Sequence, residues 1–366
     1  MNEKKNLTTE ETFALAVQNH QKNNLQVARN LYKKILKINP DHFESIFYLG
    51  SLSLQTKNFD QAKPLLQKAI KIQPNFARAH NNLGMVFKEL GESQKGMSYF
   101  QKAIEIQPNF ANAHYNLGIA FNELNEFEKA ISCYEKAIQI EPDNLTSHWL
   151  SMNTFPIIYE NLKEIDLYRN KFDDGIKKIN QLLDTQSQYT KKQIIDAMKS
   201  STNFYLSYQG RNDINLQQKY ANLIERLTEK IYPQFHQERT INKSKKFIKI
   251  GFVSSFFKNH TISILFKNWI IKLNRNFFSI FVYYIGNKFD KITSQIKESS
   301  NDFFNHTDID QLISRISKDK LDILVYLDIG MHPKVQILAS LRLVPIQSLT
   351  WGHPVPSGLK NIDYFF

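Results

Sequence analysis

Apolar residues between Ala77 and Phe110 recur at helical intervals. Leu83, Gly84 and Phe87 share one face, and Gly96, Phe100 and Ala103 follow at i, i+4 and i+7, with lysine, glutamate and glutamine between them. The pattern returns every 34 residues: Pro40, Pro74, Pro108 and Pro142 keep the step, as do Leu49, Leu83 and Leu117, Gly50, Gly84 and Gly118, and Tyr32, Leu66, Phe100 and Tyr134. Small residues at 84 and 96 imply two helices in close approach. Gly91 supplies the left-handed turn between them. Asn23 and Asn125 suit the equivalent turns, whereas Lys57 departs from the rule. Each proline ends a second helix. The pattern predicts four helical hairpins, Thr9–His42, Phe43–Phe76, Ala77–Phe110 and Ala111–Asn144.

A 34-residue helix–turn–helix period is the signature of the tetratricopeptide repeat, which buries its apolar face only by stacking on neighbours. Residues 9–144 are therefore expected to form an α-solenoid whose first helices line a concave side. Asn82 and Asn116 hold the same phase on those helices. Carboxamides that donate and accept at once could grip a peptide backbone, so both are candidate contacts for an acceptor protein or peptide. Ala14 and Tyr48 occupy the matching positions in the first two units, which limits the ladder to two rungs.

The period breaks after Pro142. Phe172, Ile176, Ile179 and Leu183 still recur at helical spacing, Gln209–Asp213 reads as a turn, and Tyr220–Tyr232 reads as a helix stopped at Pro233. Residues 145–246 are thus expected to be a helical cap and connector, closing with a polar linker at His236–Lys246. The texture changes at Phe247. Apolar runs at Phe247–Ser254, Phe278–Ile285, Asp322–Leu327 and Ile346–Thr350 alternate with helical stretches at Thr261–Leu273, Lys288–Glu298, Asp308–Ile316 and Pro333–Arg342. This alternation predicts a parallel, Rossmann-like α/β domain over 247–366, with ligands beyond the carboxyl ends of its strands. His260 lies just past the first strand, at the threshold of a helix.

Composition changes this picture little. A net charge of +12 favours polyanions in general, but the lysines are scattered without a basic run, so no nucleic-acid partner is expected. No apolar stretch suits a membrane span, and the polar start MNEKKNLTTEE lacks a secretory core. The lone Cys133, inside a repeat helix, reads as a core residue in a reducing, cytoplasmic setting. Dinucleotide and P-loop fingerprints are missing, and His260, His332 and His353 lack metal-ligand spacing. Asp308–Ile309–Asp310 has the form of a metal-binding D-x-D, but it sits where aspartate caps a helix.

GFVSSFFKNHTIS (Gly251–Ser263), DILVYLDIGMHPKVQILASLRLVPIQSLTWGHPVPSG (Asp322–Gly358) and the closing IDYFF resemble the first catalytic lobe of glycosyltransferase family 41, the protein O-GlcNAc transferases and SPINDLY-like O-fucosyltransferases. Thr202–Leu227 resembles the connector of bacterial SPINDLY-like members, and the repeats match the family's N-terminal half. The resemblance implies a GT-B enzyme that moves a sugar, without metal or cofactor and with inversion, from a nucleotide sugar of UDP-GlcNAc or GDP-fucose type to Ser or Thr of a protein held by the repeats. It implies that His260 is the first-lobe active-site histidine. It places Asn259, Thr261, Gly352, His353, Pro354, Ser357 and Gly358 as substrate contacts, His353 standing where some members carry Tyr. The nucleotide-binding lobe would lie beyond Phe366, so these 366 residues alone are expected to be inactive, with IDYFF left as an unpaired edge. The competing expectation is a protein-binding scaffold with a degenerate catalytic half.

Overall fold

The computed structural model describes residues 7–185, 189–240, 247–352 and 357–366. The chain divides into two compact units, Met1–Asn144 and Leu145–Phe366. The first is a tetratricopeptide array of antiparallel pairs: α1 (Thr9–Gln21) with α2 (Leu25–Ile38), α3 (Phe43–Gln55) with α4 (Phe59–Ile72), α5 (Ala77–Glu89) with α6 (Ser93–Ile106), and α7 (Ala111–Glu123) with α8 (Phe127–Ile140). Asn23, Lys57, Gly91 and Asn125 all turn at positive φ, between 55° and 80°. Lys57 therefore adopts the turn its side chain disfavours, because repeat stacking outweighs the local strain. Gly118 is required by close approach: a Cβ there would stand 2.6 Å from Cε1 of Tyr134.

The second unit begins with α9 (Leu145–Asn153), α10 (Leu162–Thr185), α11 (Lys191–Ser200) and α12 (Ile214–Ile231). It continues as β1 (Ile248–Ser254), α13 (Thr261–Lys272), β2 (Phe278–Tyr284), α14 (Lys291–Glu298), β3 (Asp302–Asn305), α15 (Ile309–Asp319), β4 (Ile323–Tyr326), α16 (Pro333–Ala339), β5 (Ile346–Leu349) and β6 (Tyr364–Phe365). The six strands form one parallel sheet in the order β3-β2-β1-β4-β5-β6. Side chains alternate between its faces. Ile250, Phe252, Ile280, Val282 and Val325 pack with Phe266 and Ile270 of α13 and Ile296 of α14. On the other face the Tyr326 hydroxyl donates to the Leu338 carbonyl of α16, and the Tyr283 hydroxyl donates to Asp319 at the end of α15.

Three expectations change. No element was expected between the helices at Lys288–Glu298 and Asp308–Ile316, yet β3 lies there; its four residues, DFFN, are all half-buried, and the polar ends of this edge strand leave no apolar run to reveal it. IDYFF is not unpaired: β6 adds to β5, with the Asp363 N–H donating to the Gln347 carbonyl and the Phe366 N–H to Leu349. The helices before β1 pack with the sheet unit. The Thr228 and Ser340 hydroxyls meet at 3.1 Å, the Arg342 N–H donates to the Phe235 carbonyl at 2.6 Å, and the Lys360 N–H donates to Glu225 at 2.6 Å. Of the expected linker, residues 241–246 lie outside the described residues. Among the described residues no helix is long and apolar enough to cross a membrane.

Two substitutions test the array. Gly118→Val, driven into Tyr134, should lower its stability by about 1–3 kcal/mol. Lys57→Gly should raise it by roughly 0.5 kcal/mol, because relief of left-handed strain exceeds the added unfolded-state entropy. Urea midpoints of the two variants check both signs.

Candidate active site

In the sheet order, β1 and β4 are neighbours whose following connections leave in opposite directions, so a crevice opens above their carboxyl ends. The loop Ser255–His260 runs there from β1 into α13. Several of its backbone groups are tied by side chains. The Ser255 N–H donates to Oδ2 of Asp328 at 3.1 Å, and the Phe256 N–H to the Ser254 hydroxyl at 2.9 Å. The Phe256 carbonyl accepts from the Ser263 hydroxyl and the Phe257 carbonyl from the Thr293 hydroxyl, both at 2.6 Å. The Asn259 N–H donates to Oδ2 of Asp290 at 2.5 Å. That bond comes first among those holding the Asp290 carboxyl below its usual range, and the Thr293 and Ile292 N–H groups add to it.

His260 is the N-cap of α13: its Nδ1 accepts the Ile262 N–H at 3.2 Å. With Nδ1 engaged as an acceptor, the neutral ring carries its proton on Nε2 and presents an N–H. The imidazole stacks on Phe256, with centroids 4.1 Å apart and planes 15° apart. Partial burial, then the Lys258 ammonium, hold its pKa below the ordinary value. At neutral pH it is an uncharged donor.

Gly352 belongs to the same region. A Cβ on it would lie 2.2 Å from the Leu327 carbonyl and 2.8 Å from Cδ1 of Ile262, so only glycine lets the loop after β5 press against the end of β4 and the start of α13. Asn259 and Thr261 flank His260 and are exposed. Ser357 and Gly358 serve a different contact: the Ser357 hydroxyl accepts the Leu359 N–H, and Gly358, at φ 70°, lies against the Gln217 carbonyl of α12. His353 and Pro354 lie outside the described residues. Asp308 and Asp310 are committed to structure, Asp308 accepting from the Gln311 N–H and Asp310 from Lys191 and Tyr232. Cys133 is pushed up to about 11 by burial, which leaves an inert thiol.

In the array, Asn82 and Asn116 bind their neighbours. The Asn116 amide donates to Oδ1 of Asn81 at 2.9 Å, Asn81 donates to Oδ1 of Asn82 at 3.3 Å, and Asn82 donates to the Ser51 hydroxyl at 2.9 Å. One polar relay thus links α3, α5 and α7.

Asp328 escaped the sequence reading, although an acid that closes the apolar run ILVYL just before a glycine was its signal. It is fully buried. Among the described residues no donor meets hydrogen-bond geometry at its Oδ1, although the Ser254 and Ser255 hydroxyls stand close enough to draw its pKa down. Burial prevails and pushes it up to about 7.

The second unit is thus a parallel α/β lobe with a loop held at the switch point, in a chain that also carries tetratricopeptide repeats. Residues 168–366, more than half the chain, match glycosyl transferase family 41, and this chain belongs to that family. Residues 20–84, 77–110 and 111–144 match tetratricopeptide repeat families. A UDP-N-acetylglucosamine–peptide N-acetylglucosaminyltransferase of Caenorhabditis elegans is 27% identical over 207 residues, which span 53% of this chain but 17% of that protein. An O-GlcNAc transferase structure from Thermobaculum terrenum aligns with all of this chain and 54% of its own, at 17% identity and a TM-score of 0.37. A MamA protein structure aligns with 50% of this chain and 97% of its own, at 24% identity and a TM-score of 0.42.

The raised Asp328 pKa fixes a sign. The folded state binds this proton more tightly than the unfolded state, so stability is fullest below about pH 4 and falls as pH rises to about 7, by about 4 kcal/mol in all. Asp328→Asn removes that slope. The melting temperature of the variant relative to the native chain should therefore climb between pH 4 and pH 7 and level off above. A difference that is flat with pH would count against a buried neutral acid.

Proposed function

We propose that this chain supplies the acceptor-binding array and the first GT-B lobe of a protein O-glycosyltransferase. The donor is a nucleotide sugar of UDP-N-acetylglucosamine type, the name of the Caenorhabditis elegans relative arguing for that choice over a GDP-fucose type. The observation that carries the reading is the tied β1–α13 loop, which holds His260 at the switch point of a family 41 lobe. A serine or threonine oxygen of the acceptor forms a bond to the anomeric carbon from the face opposite the leaving group, and its hydroxyl proton passes to solvent. The bond to the diphosphate breaks, and the nucleoside diphosphate departs with its electron pair. His260, with Nδ1 occupied, offers its Nε2–H to an oxygen of donor or acceptor and is not the base. Asn259, Thr261 and Gly352 line the same wall, His353 and Pro354 are carried as substrate contacts by the family resemblance alone, and Gly358 lies against α12.

The repeats present the acceptor. Asn82 and Asn116 contribute by keeping consecutive first helices in register and by turning carboxamide edges along them. No metal takes part in this scheme, and the diphosphate charge is met by groups of a second lobe that these 366 residues do not include. The setting is cytoplasmic, and the relation to SPINDLY-like proteins is one of family.

Two variants at one position, made in the complete polypeptide, separate capping from chemistry. Asparagine caps helices well, so His260→Asn keeps the cap and loses the ring N–H, whereas His260→Ala loses both. Both should lower kcat for sugar transfer at least about tenfold. Acceptor-peptide Kd should stay within about twofold, and only the alanine variant should lose melting temperature. Full transfer by His260→Asn would reduce His260 to a cap and remove it from the site.

A further inference from the structure

We propose that Asp328 is a positioning residue that sets the orientation and tautomer of His260, acting through the start of the β1–α13 loop. The inference rests on the functional reading above only in treating His260 as a working group.

The path is short. Asp328 follows β4 and is sealed from solvent, and its Oδ2 takes the Ser255 N–H. Ser255 is the first residue after β1, so this bond fixes the direction in which the chain leaves the sheet. The next residue, Phe256, is held at both backbone groups, its N–H by the Ser254 hydroxyl and its carbonyl by Ser263 of α13. Its ring is the platform on which the His260 imidazole lies. Among the described residues, the other group that holds the imidazole is the Ile262 N–H at Nδ1, which fixes one direction and leaves rotation about it. The far end of the loop has its own anchor in Asp290, so the two carboxylates clamp the segment on both sides of Phe256 and Phe257. Asp290 is also bound by its own helix, α14, and has a capping reason to be there. Asp328 caps no helix, forms no ion pair, and leaves Oδ1 without a hydrogen-bond partner among the described residues. Burying a polar group at such a cost points to a role that an apolar residue of the same size could not fill.

The test reads the ring and the loop and needs no sugar transfer. The 366-residue chain, labelled with 15N-histidine, has ten histidines, and His260→Asn assigns the resonance of interest. In the native chain the ring should show the Nε2–H tautomer. Asp328→Leu, which keeps the branched shape and the number of side-chain heavy atoms but removes the acceptor, should mix the two tautomers, move the ring pKa toward an ordinary histidine value, and speed amide exchange at Ser255 at least about tenfold, as for a lost local anchor. Asp328→Asn, which still offers an oxygen to the Ser255 N–H, should restore all three. Ile316→Ala, a cavity in buried α15 off this path, should lower stability and leave the ring unchanged. A folded Asp328→Leu chain with a native His260 signature would overturn the proposal, as would the same ring change in Ile316→Ala. If Asp328→Leu does not fold, Phe256→Leu carries the test from the other end: it should release the ring while Ser255 exchange stays native, and an unchanged ring would overturn the path. In a complete polypeptide, loss of transfer by Asp328→Leu with a native ring would sink this role and leave the transferase reading intact.

Discussion

A parallel sheet must send each strand's successor back over one of its faces, and the face chosen changes between β1 and β4. That reversal creates a place on this sheet where two carboxyl strand ends stand side by side with their connections turned apart. The loop after β1, the turn after β4 and the glycine at 352 all converge there because the topology leaves them nowhere else to go. Backbone groups leaving a buried strand need partners. Here the fold brings two serines, two aspartates and a threonine, most of them distant in sequence, to the point of need. The resulting rigidity is what allows an imidazole to be aimed.

Much of this was legible in the residues. The 34-residue period gave the array because each repeat solves the same packing problem with the same small and aromatic residues, and Gly118 against Tyr134 shows that problem directly. β1, β2, β4 and β5 announced themselves as apolar runs. What escaped did so for physical reasons. β3 is held by pairing to β2 along one edge and has no buried face to advertise. The terminal IDYFF reads as a bare edge until β5 is known to offer it Gln347 and Leu349 carbonyls. The helices before β1 look like a connector along the chain, yet α12 buries Tyr220, Leu223, Ile224 and Leu227, and such a helix needs something to bury them against.

The site was half legible. His260 stood out by its place after a strand, and Gly352 by its motif. Ser357 and Gly358 belong to the same stretch of sequence but turn toward Gln217, which a linear motif cannot disclose. Asn82 and Asn116 recur in phase as a ladder would, yet their first bonds are to Ser51 and Asn81. Their periodicity therefore reflects a bond that each repeat makes to the next as much as any surface offered to a peptide.

Histidine at a helix start is common in this chain, and that bears on how His260 should be weighed. His42 accepts the Ser45 N–H, His332 the Lys334 N–H and His306 the Asp308 N–H, each through Nδ1, so capping by itself signals nothing. His42 belongs to the array, where no strand end is near. His332 is more deeply enclosed, and burial together with Lys334 pushes it down to about 4, so it too is uncharged at neutral pH, but it caps α16 and takes no part in the loop after β1. His306 stacks on Phe304 of the edge strand, away from the reversal of strand order. His260 alone of these four joins a cap, a stacked ring and a clamped backbone at the switch point. It is the conjunction of these that marks the site, and each part traces to a residue whose removal can be tested apart from the others.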